Sequence, residues 1–564
     1  MENQRYLLYL ALFFTGFLLW QEWVAEHAPT SPSMVEEAVK VKDSTPVATI
    51  SGSDLPQAGE SASAPPVEIN ANKEETAKAA TINVVTDVLE VEISTQGGDI
   101  VSVKLPTYPV SQEQKDTPFQ LLHKDPSTYI AQSGLLHDKQ SNIKHAARAP
   151  NHYAVFSSTQ SEYKLEEGNE TLEVPLTWQN SEGVFVNKVY TFKRGKFVVS
   201  LDYQVENKSS SPWVGRQYQQ IRHAPLNKGN GSMLGGVRSF NGAAYFTDKY
   251  HKLALEDMAE EPLKQQIKGG WVSMMEHYFL SAWLPNDPQA ENLLYSKVVP
   301  SGSGEEYLIG MRSSAITIGA GERGTLSSRF YAGPKLQNDL ETLAPGLELT
   351  VDYGILTIIS KPLFWLLSKI HSVIGNWGWA IILLTILIKA AFFKLSAASY
   401  RSMAKMKNVA PKLKSLKDRY GDDKQAYQQA MMDMYKKEKI NPLGGCLPIL
   451  IQIPVFMSLY WVLLEAVELR QAPWILWIQD LSLKDPYFVL PLLNGATLYA
   501  QQKLNPPQPD PMMQKMLAFM PIMFTVFFAF FPAGLVLYWV MNSLLSIGQQ
   551  WAITKGIEQE AKKR

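Results

Sequence analysis

Cysteine is almost absent. Cys446 stands alone in a chain of 564 residues, so no intramolecular disulfide can form and no thiolate metal cluster can be assembled. Histidine is scarce too, nine in all, which argues against a zinc or iron centre built from imidazoles. No glycine-rich phosphate loop of the Walker type occurs, so nothing points to nucleotide hydrolysis. Charge of one sign is also lacking. The formal net charge of -1 argues against a protein that binds nucleic acid along its whole surface, whether or not by base sequence. Carboxylates are missing from the central apolar runs, so an intramembrane proton relay has few candidates. Glu465 and Glu468 lie only at the end of one run.

What is present divides the chain in two. Tyr6 to Trp23 is apolar, follows Arg5 and ends in Trp20-Gln21-Glu22-Trp23 with no small-x-small cleavage site close behind. Residues 1–24 therefore read as an uncleaved anchor rather than a signal peptide. Residues 25–81, rich in Pro, Ser, Ala, Glu and Lys, read as a disordered linker. Over 82–345 the hydrophobic period falls to two: Leu89, Val91 and Ile93 alternate with Val88, Glu90, Glu92 and Ser94, and Phe197 to Glu206 repeats the pattern. Gly97-Gly98, Asn207-Lys208-Ser209 and Gly229-Asn230-Gly231 supply turns. Many short strands with few helical windows predict a large β-sandwich. Glu276-His277 could be an acid/base pair there, against the blander reading of an ordinary packed pair.

From 346 the period lengthens. Residues 346–372 suit an amphipathic helix lying in the membrane interface, with Pro362 inside it. Apolar runs follow at about 373–393, 443–464, 487–503, 515–531 and 533–551. With the N-terminal anchor these make six spans, five of them forming a core over 373–554. The segment 394–441 carries twelve lysines and arginines, and the tail 555–564 is basic as well. Positive charge stays on the cytoplasmic side. Both termini are therefore expected in the cytoplasm and the sandwich across the membrane. Met403, Met406, Val409, Leu413 and Leu416 recur at helical spacing, Tyr420-Gly421 stops that helix, and Asp422 with Gln425 resembles a cap for a second. The basic segment is thus expected to be a helical hairpin.

Lys389 stands inside the first of these core runs. A charge at the bilayer centre costs about 2.5–3.5 kcal/mol on insertion scales, so such residues face a bundle interior or a wet cavity. Lys389 is also close enough to Lys394 to snorkel to the interface, and the residues alone leave both readings open. Thr385 lies one turn away on the same face, with Gly378 and Ile382 continuing it. Gln452 sits in the next run. Asn494, Thr497 and Gln501 share a face, as do Tyr538, Asn542 and Ser546. Each alone suits helix–helix contact; together with Lys389 they could line a hydrated cavity.

Four strings are long and unusual: Asn441-Pro442-Leu443-Gly444-Gly445-Cys446-Leu447-Pro448, Gln452-Ile453-Pro454-Val455-Phe456, Glu468-Leu469-Arg470-Gln471-Ala472-Pro473, and Phe531 to Trp539. In these and in its layout the chain resembles the YidC-type membrane protein insertases of Gram-negative form. The resemblance implies a polytopic α-helical membrane protein of the inner membrane with a periplasmic all-β supersandwich, an interfacial helix, and a positively charged groove open to cytoplasm and lipid. An arginine is common at the groove position in that family, and Lys389 occupies it here, keeping the charge without the bidentate fork. The implied groove comprises Lys389, Thr385, Gln452, Tyr538, Trp539 and Asn542. Partner contact falls to the hairpin, with Lys405, Lys407 and Asp422 as examples. Nascent membrane proteins are the implied clients, received alone or beside the Sec translocon, with the ribosome, the targeting machinery and the phospholipid bilayer as further partners. No catalytic residue, metal or cofactor is expected, and no enzymatic activity. Two other classes stay open: a polar-cavity transporter, for which inverted repeats would be the sign, and a membrane-tethered periplasmic carbohydrate-active protein.

Overall fold

The computed structural model describes residues 80–137, 149–225, 240–301, 304–420, 423–438, 447–505 and 511–563. The expected anchor, nearly all of the linker, the Gly229-Asn230-Gly231 turn, Asp422 and Asn441 to Cys446 lie outside them.

Alternation builds the first half. In Glu90–Ser94 every second position is buried, Val91 and Ile93, and in Val198–Asn207 the same rule buries Val199, Leu201, Tyr203 and Val205. The strands assemble into one eleven-stranded and one eight-stranded sheet. Pairing is antiparallel except between Thr81–Val85 and Glu162–Lys164, which run parallel. Trp213, Trp271 and Trp283 are fully buried with Tyr129, Tyr190 and Tyr203, consistent with the large apolar payload an aromatic-rich sandwich can bury. One charge is buried with them. The Lys188 ammonium donates to the Gly97 carbonyl at 2.8 Å and lies 5.2–5.7 Å from the ring centres of Phe156, Tyr190 and Tyr203. Gly97 and Gly98 both take positive φ (71° and 62°), and a Cβ on Gly98 would come within 3.0 Å of the lysine stem. Burial lowers Lys188 to about 7 and the Asp99 charge opposes that fall; nothing in the local sequence marks this pair.

Helices follow. α1 (Thr357–Ile374) buries Ser360, Phe364, Leu367 and Ile370 at spacings of three and four and exposes Trp365 and Val373 on other faces. Gly375 ends it at φ 72° with its N–H on the His371 carbonyl, a left-handed cap that glycine adopts without strain. Asn376 then caps α2 (Trp377–Ala391), its side chain accepting from the Trp379 N–H at 3.2 Å. After Phe392 the chain bends by 67° into α3 (Phe393–Tyr420). α4 (Lys424–Lys437) returns beside α3, with Val409, Leu413 and Tyr435 making a small core packed by Met406, Met431 and Met434. Then come α5 (Leu447–Glu465), α6 (Val489–Leu504), α7 (Pro511–Phe528) and α8 (Ala533–Lys563).

One expectation changes here, and two others meet the observed helices. The basic arm is helical from Phe393, one residue before the expected start at 394. The cap of α4 is Asp423, whose carboxylate accepts from the N–H groups of Gln425 and Ala426 at 3.0 Å each; Asp422, expected in that role, lies one residue too early. Among the described residues no single helix is long and apolar enough to cross a membrane, while the bent pair Trp377–Ala391 with Phe393–Met406 meets that test.

The loop between α5 and α6 joins the two halves. Arg470 donates through Nη2 to the carbonyls of Pro109 (2.7 Å) and Val110 (3.0 Å), and its guanidinium lies 5.8 Å from the Phe119 ring centre and 5.6 Å from that of Phe279. Gln471 donates to Pro109 at 2.9 Å. The Asp485 carboxylate, buried, accepts from Trp477 Nε1 and from the N–H groups of Tyr487 and Leu490, fixing the start of α6. The same loop covers the free donors at the start of α8, taking the Ala533 N–H on Leu483 and the Gly534 N–H on Leu481.

Candidate functional site

The bend after α2 decides where the site forms. It swings α3 away from the axis of α2 and leaves a cavity of about 830 Å³ walled by the ends of α2 and α6, the first turns of α3, and the facing sides of α5, α7 and α8. The cavity lies in the half of the helical bundle next to the α3–α4 hairpin. Its described lining includes two lysines, Lys389 and Lys503, and no carboxylate.

Lys389 occupies the last turn of α2, where the helix dipole favours a cation. It is 6% exposed and donates to the Ser546 hydroxyl on α8 at 2.7 Å. Ser546 donates in turn to the Asn542 carbonyl at 2.7 Å. The Asn542 side chain accepts from Gln452 Nε2 on α5 at 2.6 Å, and Tyr538 lines the cavity beside them. Gln550 of α8 reaches Asn505 at the end of α6 at 3.1 Å. The polar wall is therefore a chain of side-chain bonds between helices. Beside it stands an aromatic wall of Phe456, Phe524 and Trp539; Trp539 lies 4.7 Å from Phe456 and is backed by the buried Phe528 at 5.4 Å, ring centre to ring centre.

Lys389, Gln452, Tyr538, Trp539 and Asn542 thus converge on one cavity. Thr385 does not join them. It is 1% exposed and its hydroxyl donates to its own helix at the Ile381 carbonyl, 2.7 Å away, as a threonine in an apolar helix does when no other acceptor is offered. Gly378, on the same face, takes the Trp474 ring instead; a Cβ there would stand 2.1 Å from Trp474 Cδ1. The face expected from Asn494, Thr497 and Gln501 splits. Asn494 is buried, Thr497 bonds back to its carbonyl at 2.8 Å, and only Gln501 reaches the cavity. Lys405 is exposed on α3, outside the described cavity lining, and Lys407 follows two residues on in the same helix. Ser396, Ser399 and Tyr400 of α3 do line the cavity. Their three-to-four spacing, beginning seven residues beyond Lys389, is the signal in the sequence, in a segment expected to be a cytoplasmic hairpin.

His277 of the Glu276-His277 pair packs against the helices. His277 Nε2 meets the Leu464 carbonyl of α5 at 3.1 Å and its ring stacks on Tyr278 at 3.9 Å. Burial lowers this imidazole to about 4, so it sits neutral at the junction between the sandwich and the helices.

Known proteins bear on this arrangement. Residues 81–366 match the family model described as the YidC periplasmic domain, and 369–561 match that described as the 60Kd inner membrane protein. A protein from Thioalkalivibrio sulfidiphilus named membrane protein insertase YidC is 53% identical over 569 aligned residues, covering all of both chains. One of the same name from Methylococcus capsulatus is 46% identical over 99% of each. A crystal structure described as an active YidC insertase with its first transmembrane domain resolved covers 84% of this chain and 94% of its own, at 16% identity and a TM-score of 0.36.

Proposed function

This chain belongs to the YidC family of membrane protein insertases, and we propose that it performs insertion through the polar cavity beside Lys389. The family is one of the inner membrane with a periplasmic domain, and its clients are nascent membrane proteins. In our reading both termini lie in the cytoplasm, the chain crosses six times, and the α3–α4 hairpin receives clients from the ribosome and targeting machinery. It works in the phospholipid bilayer, alone or beside the Sec translocon.

The physical problem is a polar, often acidic, segment that must cross hydrocarbon before its helix can partition into lipid. A carboxylate at the bilayer centre costs a few kcal/mol. A cation about 4 Å away offers about 4 kcal/mol at an effective dielectric of about 20, enough to offset that cost partway across. The observation that carries the reading is a buried ammonium on the wall of a cavity whose described lining holds no carboxylate to neutralise it. The polar wall hydrates the segment; the aromatic wall of Phe456, Phe524 and Trp539 accepts the apolar part of the client beside it. No bond is broken, and hydrophobic partitioning supplies the release.

Insertion into reconstituted liposomes tests this with Lys389→Ala, Lys389→Arg and Lys389→Glu at matched protein levels. Clients with acidic translocated segments should suffer more than neutral ones in the Ala variant and most in the Glu variant, while Arg retains most activity. Equal insertion of an acidic client by the Ala and Glu variants would leave Lys389 as a snorkelling anchor and refute the role.

A further inference from the structure

A lysine ammonium on a four-carbon stem does not hold its own position. It lacks the planar fork of arginine, and at the end of α2 it has the reach to leave the cavity for the interface. Something must keep it in place for a client carboxylate to meet a charge at a fixed depth. The surroundings of Ser546 show how. A serine hydroxyl has one proton and two lone pairs. Here the proton is committed to the Asn542 carbonyl one turn back on α8 at 2.7 Å. That leaves Oγ as an acceptor only. It takes the Lys389 ammonium at 2.7 Å, and Tyr400 of α3 lines the same cavity. The hydroxyl cannot rotate without losing its bond to the Asn542 carbonyl. Its backbone carbonyl partner belongs to Asn542, whose side chain is held by Gln452 at 2.6 Å. Ser546 is thus an oriented acceptor tied to α2 and α8, with α5 one bond away.

We propose that Ser546 is the positioning residue for Lys389: its hydroxyl holds the ammonium against α8 inside the cavity, leaving the other two N–H groups for a carboxylate of the incoming client. The inference rests on the insertion reading above and deepens it. A neutral acceptor suits this task better than a carboxylate would. An aspartate at 546 would hold the ammonium more strongly and would cancel the charge offered to the client. Alanine at 546 removes the anchor with little disturbance to the helix, since alanine is the best helix former and is smaller than serine.

The test compares insertion of two clients that differ only in an acidic or neutral translocated segment, using full-length protein in liposomes. The variants are Lys389→Ala, Ser546→Ala, Ser546→Thr and Ser546→Asp. The readout is the ratio of acidic to neutral insertion, which a general packing defect would not move. Lys389→Ala should lower that ratio by about tenfold, equivalent to ~1.4 kcal/mol on the barrier. Ser546→Ala should lower it in the same direction, Ser546→Thr should restore it by keeping the hydroxyl, and Ser546→Asp should lower it. A wild-type ratio in Ser546→Ala beside a lowered one in Lys389→Ala would overturn the positioning role and leave the groove charge intact. An equal fall for both clients in Ser546→Ala, unrelieved in Ser546→Thr, would also overturn it. An unchanged ratio in Lys389→Ala would overturn the reading beneath it.

Discussion

Glu468 offers a pH test of the joint between the two halves. It sits in the short turn Val467–Leu469 after α5, two residues before the arginine that holds the sandwich. Desolvation raises its carboxyl from 4.5 to about 7, its own backbone N–H opposes the rise, and Asp339 adds to it. Between those two values the folded protein keeps a proton that the unfolded chain releases. Folding stability therefore falls as pH climbs from about 4.5 to about 7 and then levels off. The full difference corresponds to about 3 kcal/mol. Glu468 keeps part of its surface in water, so solvent screening reduces the usable figure to about 1–2 kcal/mol. Glu468→Gln keeps the shape and removes the titration. Thermal unfolding of detergent-solubilised protein, followed by tryptophan fluorescence, should show the variant and the parent alike at pH 5. At pH 8 the variant should melt a few degrees higher, at about 2–4 °C per kcal/mol for a unit of this size. A variant that melts lower than the parent at pH 8, or by the same margin at both pH values, would refute the assignment of a strained, desolvated carboxylate at this joint.

Arg470→Ala removes two charge-assisted bonds and two ring contacts, together worth about 2 kcal/mol at a half-buried site. In a Cys446→Ser background, disulfide formation between cysteines at Gln112 and Gln479, which are hydrogen-bonded here, should slow severalfold; an unchanged rate would show that the sandwich does not depend on this arginine. Asp422→Cys in the same background should react with a membrane-impermeant thiol reagent only from the cytoplasmic side, and labelling from the periplasm would reverse the proposed topology while sparing the Asp423 cap. Gly378→Val places a branched side chain where Trp474 already lies and should lower stability by about 1–3 kcal/mol, seen as a lower melting temperature; an unshifted melt would mean that the loop repacks freely.

Period and composition alone dictate the kinds of element this chain forms. Alternation over Glu90–Ser94 and Val198–Asn207 can bury Val91, Ile93, Leu201 and Tyr203 only as strands, and a stripe at three-to-four spacing makes α1 amphipathic wherever it packs. Its place inside an apolar run also marks Lys389 from the sequence, because an uncompensated charge there needs a reason. The remaining features depend on which neighbours meet in space. Thr385 and Lys389 share a helix face, yet one is satisfied by its own backbone and the other reaches across to Ser546. Ser396, Ser399 and Tyr400 are cavity wall only because the chain bends at Phe392. The burial of Lys188 beneath Gly97, ninety-one positions away, is beyond any local pattern. The same holds for the seat of Arg470 on Pro109 and Val110. A periodic face fixes what a segment must hide, and only the assembled chain fixes what each polar atom finds to bond.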